Sequence, residues 1–277
     1  MLFDSHAHIN NDTFSNEERE ALISDIEASD LSYVMDIGFD LQSSLLAVKH
    51  ASELPWCYAA VGVHPHDAKT MDEAMLESIR ELAAKDKVQA IGEIGLDFYY
   101  NHSDQDVQEY WFRRQIQLAN ELKMPIVIHS READQKTMDI LKEEGAFTDE
   151  RKSWFPMRKG AGGVLEKDAR VLLHCFSGSR ELGQQYVKLG ATLSIAGPVT
   201  YKNNRKTTEV VEAIPLEYLL VETDSPYLTP VPFRGKKNKP PYVEHTTRRV
   251  AIIKGMQYEE VAETTLKNAK VFFDIED

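Results

Sequence analysis

Histidine and carboxylate side chains stand at the ends of several short apolar segments of this chain. The first two, His6 and His8, follow an apolar start at Leu2 and Phe3. Because alternate side chains of an extended strand point to the same side, both imidazoles can face one cavity. Two histidines at this spacing also occur as ordinary polar residues at a strand end, so the pair indicates a metal site only together with further ligands.

Further candidate ligands stand at the ends of later apolar segments. They are Glu93, His129, His174 and Asp224. Glu222 stands two residues before Asp224 on the same strand and therefore lies deeper, so we expect it to support a ligand or to form a buried ion pair. A single histidine in such a place is often a hydrogen-bonded residue at a strand terminus. Four imidazoles with carboxylates at matching positions favour a metal centre over that alternative, because these side chains bind divalent ions. An ion held in this way can activate water for attack on a phosphoryl or carbonyl group.

Eight short apolar segments alternate along the chain with segments of helical periodicity. The predicted strands are 2–6, 33–37, 57–62, 88–92, 125–129, 170–174, 190–194 and 218–222. The predicted helices are Glu17–Ala28, Leu41–Glu53, Asp72–Ala84, Asp104–Leu122, Ala133–Glu144, Arg180–Leu189 and Thr207–Ile214. Parallel strands joined by crossover helices are buried on both faces, and segment 125–129 is accordingly mostly apolar. The alternation predicts an α/β fold with a parallel sheet.

A (β/α)8 TIM barrel is the simplest match to eight such units. The 277 residues suit one domain over 1–277, since barrels of this kind have about 250 residues. A doubly wound open sheet is the competing architecture, but no Gly-x-Gly-x-x-Gly follows a predicted strand to favour a dinucleotide site. In a barrel, the carboxyl ends of all strands meet at one rim, where enzymes of this fold build their active sites. The barrel therefore predicts that the candidate ligands converge.

The composition is that of a soluble globular protein, with 42% hydrophobic and 28% charged residues. No apolar run reaches the roughly 20 residues that cross a bilayer, so we expect no membrane span. The amino terminus lacks a basic stretch followed by a long apolar segment, which is the pattern of a secretory signal. The two cysteines, Cys57 and Cys175, are too few for a disulfide framework. We therefore expect a cytoplasmic protein.

The net charge of −13 excludes one class of nucleic-acid-binding protein. Nonspecific coating of nucleic acid requires a broad basic surface that neutralises many phosphates, and this chain has 45 acidic against 32 basic residues. A nuclease remains compatible with this balance. Metal ions and a few local cations in a cleft can engage one or two phosphates, because local charge matters more there than the total.

Six motifs carry a family resemblance. They are Phe3-Asp4-Ser5-His6-Ala7-His8, Gly62-Val63-His64-Pro65-His66, Gly92-Glu93-Ile94-Gly95-Leu96-Asp97, Ile128-His129-Ser130-Arg131, His174-Cys175-Phe176-Ser177-Gly178 and Glu222-Thr223-Asp224-Ser225-Pro226-Tyr227. In this order they resemble the TatD family of metal-dependent hydrolases and deoxyribonucleases. The resemblance extends from the first predicted strand to the carboxyl-terminal region, and it implies an amidohydrolase-type barrel.

The resemblance also implies two divalent metal ions and their ligands. One ion would be held by His6, His8, Glu93 and Asp224, and the other by Glu93, His129 and His174. Glu93 would bridge the two ions. Ligands of this type suit zinc, manganese or magnesium and do not choose among them. Asp224, together with Glu93, is the predicted catalytic carboxylate, and Asp224 is the best candidate to accept the proton of the attacking water.

Five further residues are predicted to contact the substrate. They are His64, His66, Arg131, Arg234 and Lys236. His64 and His66 follow the third strand, with metal binding as their alternative role. Arg131 can offer a bidentate guanidinium to a phosphate, or it can form an ion pair with Glu132. The basic loop with Arg234 and Lys236 lies after the eighth strand, where a polyanion would arrive, although it can also be an ordinary solvated loop.

The predicted function is a metal-dependent deoxyribonuclease that acts as a 3′–5′ exonuclease on DNA or another phosphodiester, by analogy with the family. An amide or ester hydrolase, such as an aminoacyl-tRNA deacylase, is the alternative, because activated water attacks a carbonyl as well as a phosphorus. A metal-binding scaffold without activity is a third hypothesis, but the intact ligand set argues against it.

The segment 147–168 is predicted to be a loop insertion that begins at the amino-terminal face of the barrel. The oligomeric state is left open.

Overall fold

Eight parallel strands form the centre of the computed structural model, which describes residues 1–276. They are β1 (Leu2–Ala7), β2 (Leu31–Ile37), β3 (Cys57–Val61), β4 (Val88–Asp97), β5 (Ile126–Arg131), β6 (Val171–Leu173), β7 (Thr192–Ile195) and β8 (Leu219–Val221). Each strand pairs in parallel with the next along the chain, from β1 to β8. All eight predicted strands are therefore present, with β4 longer than predicted at its carboxyl end.

The sheet curves into a nearly closed barrel. Its two edges meet where the parallel bridge between Ala7 and Ser225 joins the end of β1 to the segment after β8. Two backbone hydrogen bonds strengthen this contact: His8 N–H donates to the Ser225 carbonyl at 2.9 Å, and Asp224 N–H donates to the His6 carbonyl at 2.9 Å. The predicted (β/α)8 barrel is confirmed, and the open doubly wound sheet is excluded. The closing contact brings Asp224 beside the two histidines of β1.

Helices cover the outside of the barrel. They are α1 (Asn16–Glu27), α2 (Leu41–Glu53), α3 (Glu73–Ala83), α4 (Gln105–Leu122), α5 (Asp134–Glu143), α6 (Asp149–Ser153), α7 (Arg180–Lys188), α8 (Arg205–Ala213), α9 (Val243–Lys254) and α10 (Tyr258–Phe272). Several begin at side-chain caps, such as Ser15 before α1 and Asp40 before α2, each of which accepts a backbone N–H from the first turn. None of the described helices has the length and apolar character that a membrane-spanning segment requires.

Alternate residues of the strands fill two different apolar layers. Side chains such as Ile126 and Val171 pack outward against the helices. Their neighbours Val127, Leu172 and Leu220 point into the barrel with Phe3, where Phe272 and Phe273 close the amino-terminal end. Because side chains two residues apart share one face of a strand, the inward positions Val127, Leu172 and Leu220 place His129, His174 and Glu222 inside the carboxyl-terminal rim.

The segment 147–168 has secondary structure where the sequence predicts a loop. It contains α6 and a short antiparallel hairpin of Arg158–Lys159 with Leu165–Glu166. The Arg151 side chain of α6 is fully buried. It donates hydrogen bonds to four acceptors near the amino-terminal ends of β5 and β6: the carbonyl oxygens of Ala169 and Met124, each at 2.9 Å, Oδ1 of Asn120 at 2.6 Å and the Arg170 carbonyl at 3.4 Å. The buried guanidinium therefore ties this segment to the barrel, at the end opposite the candidate ligands.

Candidate metal centre

The predicted ligands converge at the carboxyl-terminal rim, although they come from five strands. His6 and His8 come from β1 and its end, Glu93 from β4 and His129 from β5. His174 follows β6, and Asp224 follows β8. All have nitrogen or oxygen atoms within 4 Å of another member of the group. The convergence that the barrel topology predicts from the sequence is therefore present in the structure.

A first group of donor atoms surrounds the Oε2 atom of Glu93. The Nε2 atoms of His6 and His8 are 3.2 Å apart, and they lie 3.3 and 3.6 Å from Glu93 Oε2. Asp224 Oδ1 is 3.4 Å from His8 Nε2 and 3.8 Å from His6 Nε2. Four donor atoms, two nitrogens and two oxygens, thus face one point.

A second group surrounds the other oxygen of the same carboxylate. Glu93 Oε1 lies 2.8 Å from Nδ1 of His129 and 2.8 Å from Nε2 of His174, and these two nitrogens are 3.3 Å apart. His64 Nε2 is 3.5 Å from the same oxygen. The two oxygens of Glu93 therefore face two different sets of imidazoles, which is the arrangement of a carboxylate that bridges two cations.

The spacing of these donor atoms fits divalent ions. Ligands held 2.0–2.2 Å from one tetrahedral ion lie roughly 3.3–3.6 Å from each other. The separations in the first group are close to this range, as is the 3.3 Å between His129 and His174 in the second group, whose 2.8 Å contacts with Glu93 have hydrogen-bond length. The imidazoles are also oriented for binding. His8 Nδ1 is 2.7 Å from the Ile37 carbonyl, so this nitrogen is the donor and Nε2 presents its lone pair to the first group. The residues present therefore fit a pair of metal ions.

Glu222 contacts His174, a member of the second group, on the side away from Glu93. Its carboxylate is fully buried and accepts hydrogen bonds from the Cys175 N–H at 2.9 Å and from the Ser194 hydroxyl. His174 Nδ1 lies 3.3 Å from Glu222 Oε1, so its proton points to Glu222 and Nε2 is free to face Glu93. Glu222 is placed to orient a ligand and lies below the rim, which agrees with its position two residues before Asp224.

Burial and the neighbouring charges have opposite effects on the pKa values of Glu93 and His64 in this cluster. Burial disfavours the ionised form of Glu93, but the positive potential of His174 and His64 and hydrogen bonds from His129 and His174 outweigh it, so the pKa of Glu93 lies well below its usual value. Burial lowers the pKa of His64 well below that of an exposed imidazole, despite the opposing potential of Glu93. The centre thus combines anionic carboxylates with imidazoles, a suitable donor set for divalent cations.

A cavity of about 760 Å³ opens above the cluster. His64 and His66, predicted to contact the substrate, both line it. His64 reaches down to Glu93, so it is also close enough to serve as a further metal ligand. His66 instead pairs with Asp97, whose Oδ2 lies 2.8 Å from His66 Nε2. Cavity and cluster together form a site in which a substrate group can reach the candidate ligands.

Arg131 also lines the cavity and has no ion pair with Glu132. Its guanidinium lies over the rings of Tyr99 and Tyr100, 4.1 and 4.7 Å from their centroids. Over residues 1–276, no side-chain hydrogen bond or ion pair engages this guanidinium. Among the described residues that line the cavity, it is also the one Lys or Arg side chain. Its N–H donors are thus available to an anion in the cavity.

Arg234 and Lys236 are not among the residues that line the cavity. The Arg234 guanidinium lies 4.4 Å from the ring centroid of Tyr201, and the Lys236 ammonium lies 5.5 Å from that of Phe233. Elsewhere in this loop, Lys237 pairs with Glu18 and Lys239 with Asp25. The structure therefore does not bring the basic loop together with the ligand cluster.

Asp97 is a part of the site to which sequence reasoning assigned no definite role. It ends β4, four residues after Glu93, and is almost completely buried. Besides His66, it faces His129, whose Nε2 is 3.4 Å from Asp97 Oδ2. Burial disfavours its ionised form, but hydrogen bonds with His129, with the Tyr100 N–H and with His66 lower its pKa. The sequence signal that could have assigned Asp97 to the site is its spacing of four residues from Glu93 on one strand, which places both side chains on the same face.

Comparison with known proteins places these features in context. A family model described as "TatD related DNase" matches residues 3–274. The chain is 42% identical over 275 residues to "Uncharacterized metal-dependent hydrolase YabD" of Bacillus subtilis (strain 168), covering 99% of this chain and 100% of that protein. It is 34% identical over 280 residues to "3'-5' ssDNA/RNA exonuclease TatD" of Escherichia fergusonii, covering 99% of both.

Solved structures show the same fold. The structure of YJJV, a TatD homologue from Escherichia coli K12, superposes with a TM-score of 0.85 at 24% sequence identity, covering 99% of this chain and 98% of that one. A hydrolase of the TatD family from Entamoeba histolytica superposes with a TM-score of 0.81 at 20% identity, covering 98% and 97% of the two chains. At these identities the similarity supports the barrel architecture alone.

Proposed function

Because the chain belongs to the family of TatD-related deoxyribonucleases and is a metal-dependent hydrolase, we propose that it removes nucleotides from the 3′ end of single-stranded nucleic acid. The observation that carries this proposal is the bridging position of Glu93, whose two oxygens face two sets of imidazoles below a cavity. Relatives named as 3′–5′ exonucleases cover the full length of the chain and support the same activity. The amide or ester hydrolase alternative is not favoured by these relatives.

The proposed cofactors are two divalent ions, which can be zinc, manganese or magnesium. His6, His8, Glu93 and Asp224 would hold one, and the second would be held by Glu93 with His129 and His174. His64 is a candidate for an additional ligand of the second ion, from its distance to Glu93. When bound, two such ions lower the pKa of an attacking water and offset the charge that develops on the phosphoryl oxygens.

The side chains around the cluster supply the other parts of the reaction. Asp224 Oδ1 stands at the edge of the first group, where it can accept the proton of the attacking water. Arg131 can direct two N–H groups at a non-bridging phosphate oxygen, because no acceptor within residues 1–276 engages them. His66 lies in the cavity wall and donates its Nε2–H to Asp97, so its Nδ1 is left as an acceptor for a hydrogen bond from the substrate. Arg234 and Lys236 would act at longer range, on the nucleic acid outside the cavity.

We also propose a cytoplasmic location. Both cysteines are free thiols, Cys57 buried in β3 and Cys175 beside the site. Burial raises the pKa of each thiol well above its usual value, so neither is a reactive thiolate. Inert free thiols are the usual state of cysteine in a reducing compartment. Cys175 is accordingly a small residue of the cavity wall and has no role as a nucleophile.

The activity is tested with purified protein that has been stripped of metal and then resupplied separately with magnesium, manganese or zinc. The substrate is a single-stranded DNA oligonucleotide labelled at its 5′ end, with a 3′-labelled copy to establish polarity. We expect metal-dependent, stepwise shortening of the first and immediate release of labelled mononucleotide from the second. Glu93→Ala should abolish both, whereas Glu81→Ala, an exposed glutamate on α3, should match the wild type. Intact oligonucleotide with every metal would refute the proposed function.

A further inference from the structure

A cluster of aromatic side chains and one cation stands at the mouth of the site cavity. It consists of Tyr99, Tyr100, His102 and Arg131, which we name the aromatic rim. Tyr100, His102 and Arg131 line the cavity directly, and Tyr99 packs beside them. None of these four residues is a proposed metal ligand. The rings of Tyr99 and Tyr100 are also not part of the hydrophobic core clusters.

The rings of the aromatic rim are exposed in spite of their size. Tyr99 is 58% and Tyr100 50% exposed, and His102 is exposed as well. Exposed aromatic residues that are scattered singly over a surface need no explanation, but here three rings adjoin the opening of one cavity. Flat apolar faces at the mouth of a cavity are the feature that a planar ligand group can cover.

The backbone holds these rings in a defined place. The Asp97 carboxylate accepts the N–H groups of Tyr99 at 3.0 Å and Tyr100 at 2.9 Å, which fixes the turn after β4. Ser103 ties the far end of the same segment to the chain after β3, because its hydroxyl donates to the His66 carbonyl at 2.8 Å. A segment anchored at both ends presents its rings without a large cost in conformational entropy when a ligand binds.

Two of the three rings are parallel, and the third, Tyr99, stands nearly perpendicular to Tyr100. Tyr100 and His102 are parallel, with an interplanar angle of 4° and centroids 5.4 Å apart. The Arg131 guanidinium lies over both Tyr99 and Tyr100. Arg131 stands two residues after His129 on β5, so both side chains project to the same side of the strand, about 6.6 Å apart along it. The aromatic rim therefore begins two residues along β5 from the proposed ligand His129.

From this arrangement we infer that the aromatic rim is a stacking platform for an unpaired base of the nucleic acid whose phosphate lies at the metal centre, an inference that rests on the proposed function. Tyr100 and His102 supply the stacking surface, and Arg131 holds a phosphate oxygen of the same strand. Proteins that bind single strands combine aromatic faces for the bases with cations for the backbone in this way.

The platform also accounts for how so acidic a chain binds a polyanion. With a net charge of −13, the protein lacks the general attraction that a basic surface gives. Stacking does not depend on net charge, and it can supply binding where few phosphates are contacted. A base inside a duplex is already stacked on its neighbours, so the platform would accept single-stranded or frayed ends and disfavour blunt duplex ends.

Steady-state kinetics on a single-stranded oligonucleotide test the platform. We expect Tyr100→Ala to lose about 5- to 100-fold in kcat/KM, mainly through KM, and Tyr100→Phe to stay near the wild type because it keeps the ring. Tyr110→Ala, which removes a 50% exposed tyrosine from α4, is the matched control and should have no effect. A value for Tyr100→Ala within twofold of the Tyr110→Ala value would overturn the inference.

Abasic substrates separate stacking from a merely structural role of Tyr100. We use oligonucleotides whose last two nucleotides at the 3′ end lack bases. The wild type should cleave them as slowly as Tyr100→Ala cleaves the normal strand, and Tyr100→Ala should lose nothing further. Equal losses for Tyr100→Ala on normal and abasic substrates would show that the substitution disturbs the site in general, and would contradict the platform.

A binding measurement keeps this inference separate from the proposed function. Metal-loaded protein is titrated into single strands with phosphorothioate linkages that resist cleavage and with 2-aminopurine at the 3′-terminal or the adjoining position, because stacking on an aromatic ring quenches its fluorescence. The wild type and Tyr110→Ala should quench it, and Tyr100→Ala should not. Absence of cleavage with every metal would refute the exonuclease, whereas absence of quenching by the wild type would refute the platform.

Discussion

Glu93 is the residue on which the site depends most. Each of its oxygens is within 3.3 Å of an imidazole nitrogen from a different set, His6 on one side and His129 with His174 on the other. No other described side chain contacts both groups in this way. Removal of its carboxylate would therefore leave two incomplete sets of imidazoles. The pair of sites, and the hydrolysis proposed for it, depends on this one side chain.

Glu222 provides a prediction at the residue scale. Glu222→Gln keeps the size of the side chain but removes the negative charge that faces His174, and its amide nitrogen replaces either Oε2, which accepts from Ser194, or Oε1, which faces His174 and the Cys175 N–H. We expect the second ion to bind about 10- to 100-fold more weakly, the usual effect of losing a group that orients a metal ligand. Activity titrated against added metal should shift to higher concentration and recover in excess. An unchanged titration curve would show that Glu222 does not orient His174.

Much of the cluster could be predicted from the sequence, because its members stand at strand ends and strands are recognisable. Val127 and Leu172 point into the barrel, so the inward direction of His129 and His174 follows from the period of two. Asp97 and His102 were harder to assign. Their roles depend on contacts with His66 and Tyr100, which come from a turn and another loop, and no periodic pattern reports such contacts.

At the scale of elements, strand and helix positions were largely predictable and loop structure was not. The bounds of α2, Leu41–Glu53, agree with the predicted helix at both ends, since Asp40 caps its start and the apolar period marks its length. The loop with Arg234 and Lys236 was predicted at the site because it follows β8. Its cations lie over Tyr201 and Phe233 instead, and only the folded loop shows this.

The segment 147–168 provides a prediction at the scale of elements. Burial lowers the pKa of Arg151 to about 10, so the guanidinium is still charged at neutral pH and depends on its four hydrogen-bond acceptors. Arg151→Met leaves these acceptors without a donor, and we expect a loss of about 2–4 kcal/mol in the free energy of unfolding. Urea denaturation measures this loss.

Two controls show whether the loss of stability in Arg151→Met is specific to this residue. Arg180→Ala, at an exposed arginine that pairs with its neighbour Glu181, should change the free energy of unfolding by less than about 0.5 kcal/mol. Activity per folded molecule should be unchanged in Arg151→Met, because Arg151 lies at the opposite end of the barrel from His6 and His174. Equal stabilities of Arg151→Met and Arg180→Ala would contradict the anchoring role of Arg151.

At the scale of the whole molecule, the apolar core that stabilises the barrel and the candidate site lie at opposite ends of it. The amino-terminal end is closed by Phe272 and Phe273 of the last helix, which pack against Phe3 and Leu220. The carboxyl-terminal end carries the metal ligands, the cavity and the aromatic rim. This division allows buried charge to be concentrated at one rim, since the apolar layer below it holds the strands together.

The distribution of charge provides a prediction at the same scale. Nucleic acid bound in the proposed way would meet one Lys or Arg side chain among the described residues of the cavity wall, Arg131, on a chain with a net charge of −13. We expect the binding of single-stranded DNA to depend weakly on salt, with a slope of log K against log salt of about −0.7 to −1.4, corresponding to one or two phosphate contacts. Arg131→Ala should reduce the slope by about 0.7. A slope steeper than about −3 would show that the basic loop or another surface carries the binding.

The most direct test of the account is the metal content of the purified protein, measured by mass spectrometry after saturation and removal of free ions, and compared with exonuclease activity. We predict about two ions per chain and full activity for the wild type and for Glu81→Ala, with a folded but inactive Glu93→Ala that retains fewer ions. A Glu93→Ala protein that keeps both ions and degrades single-stranded DNA at the wild-type rate would contradict the bridging role of Glu93 and the proposed centre with it.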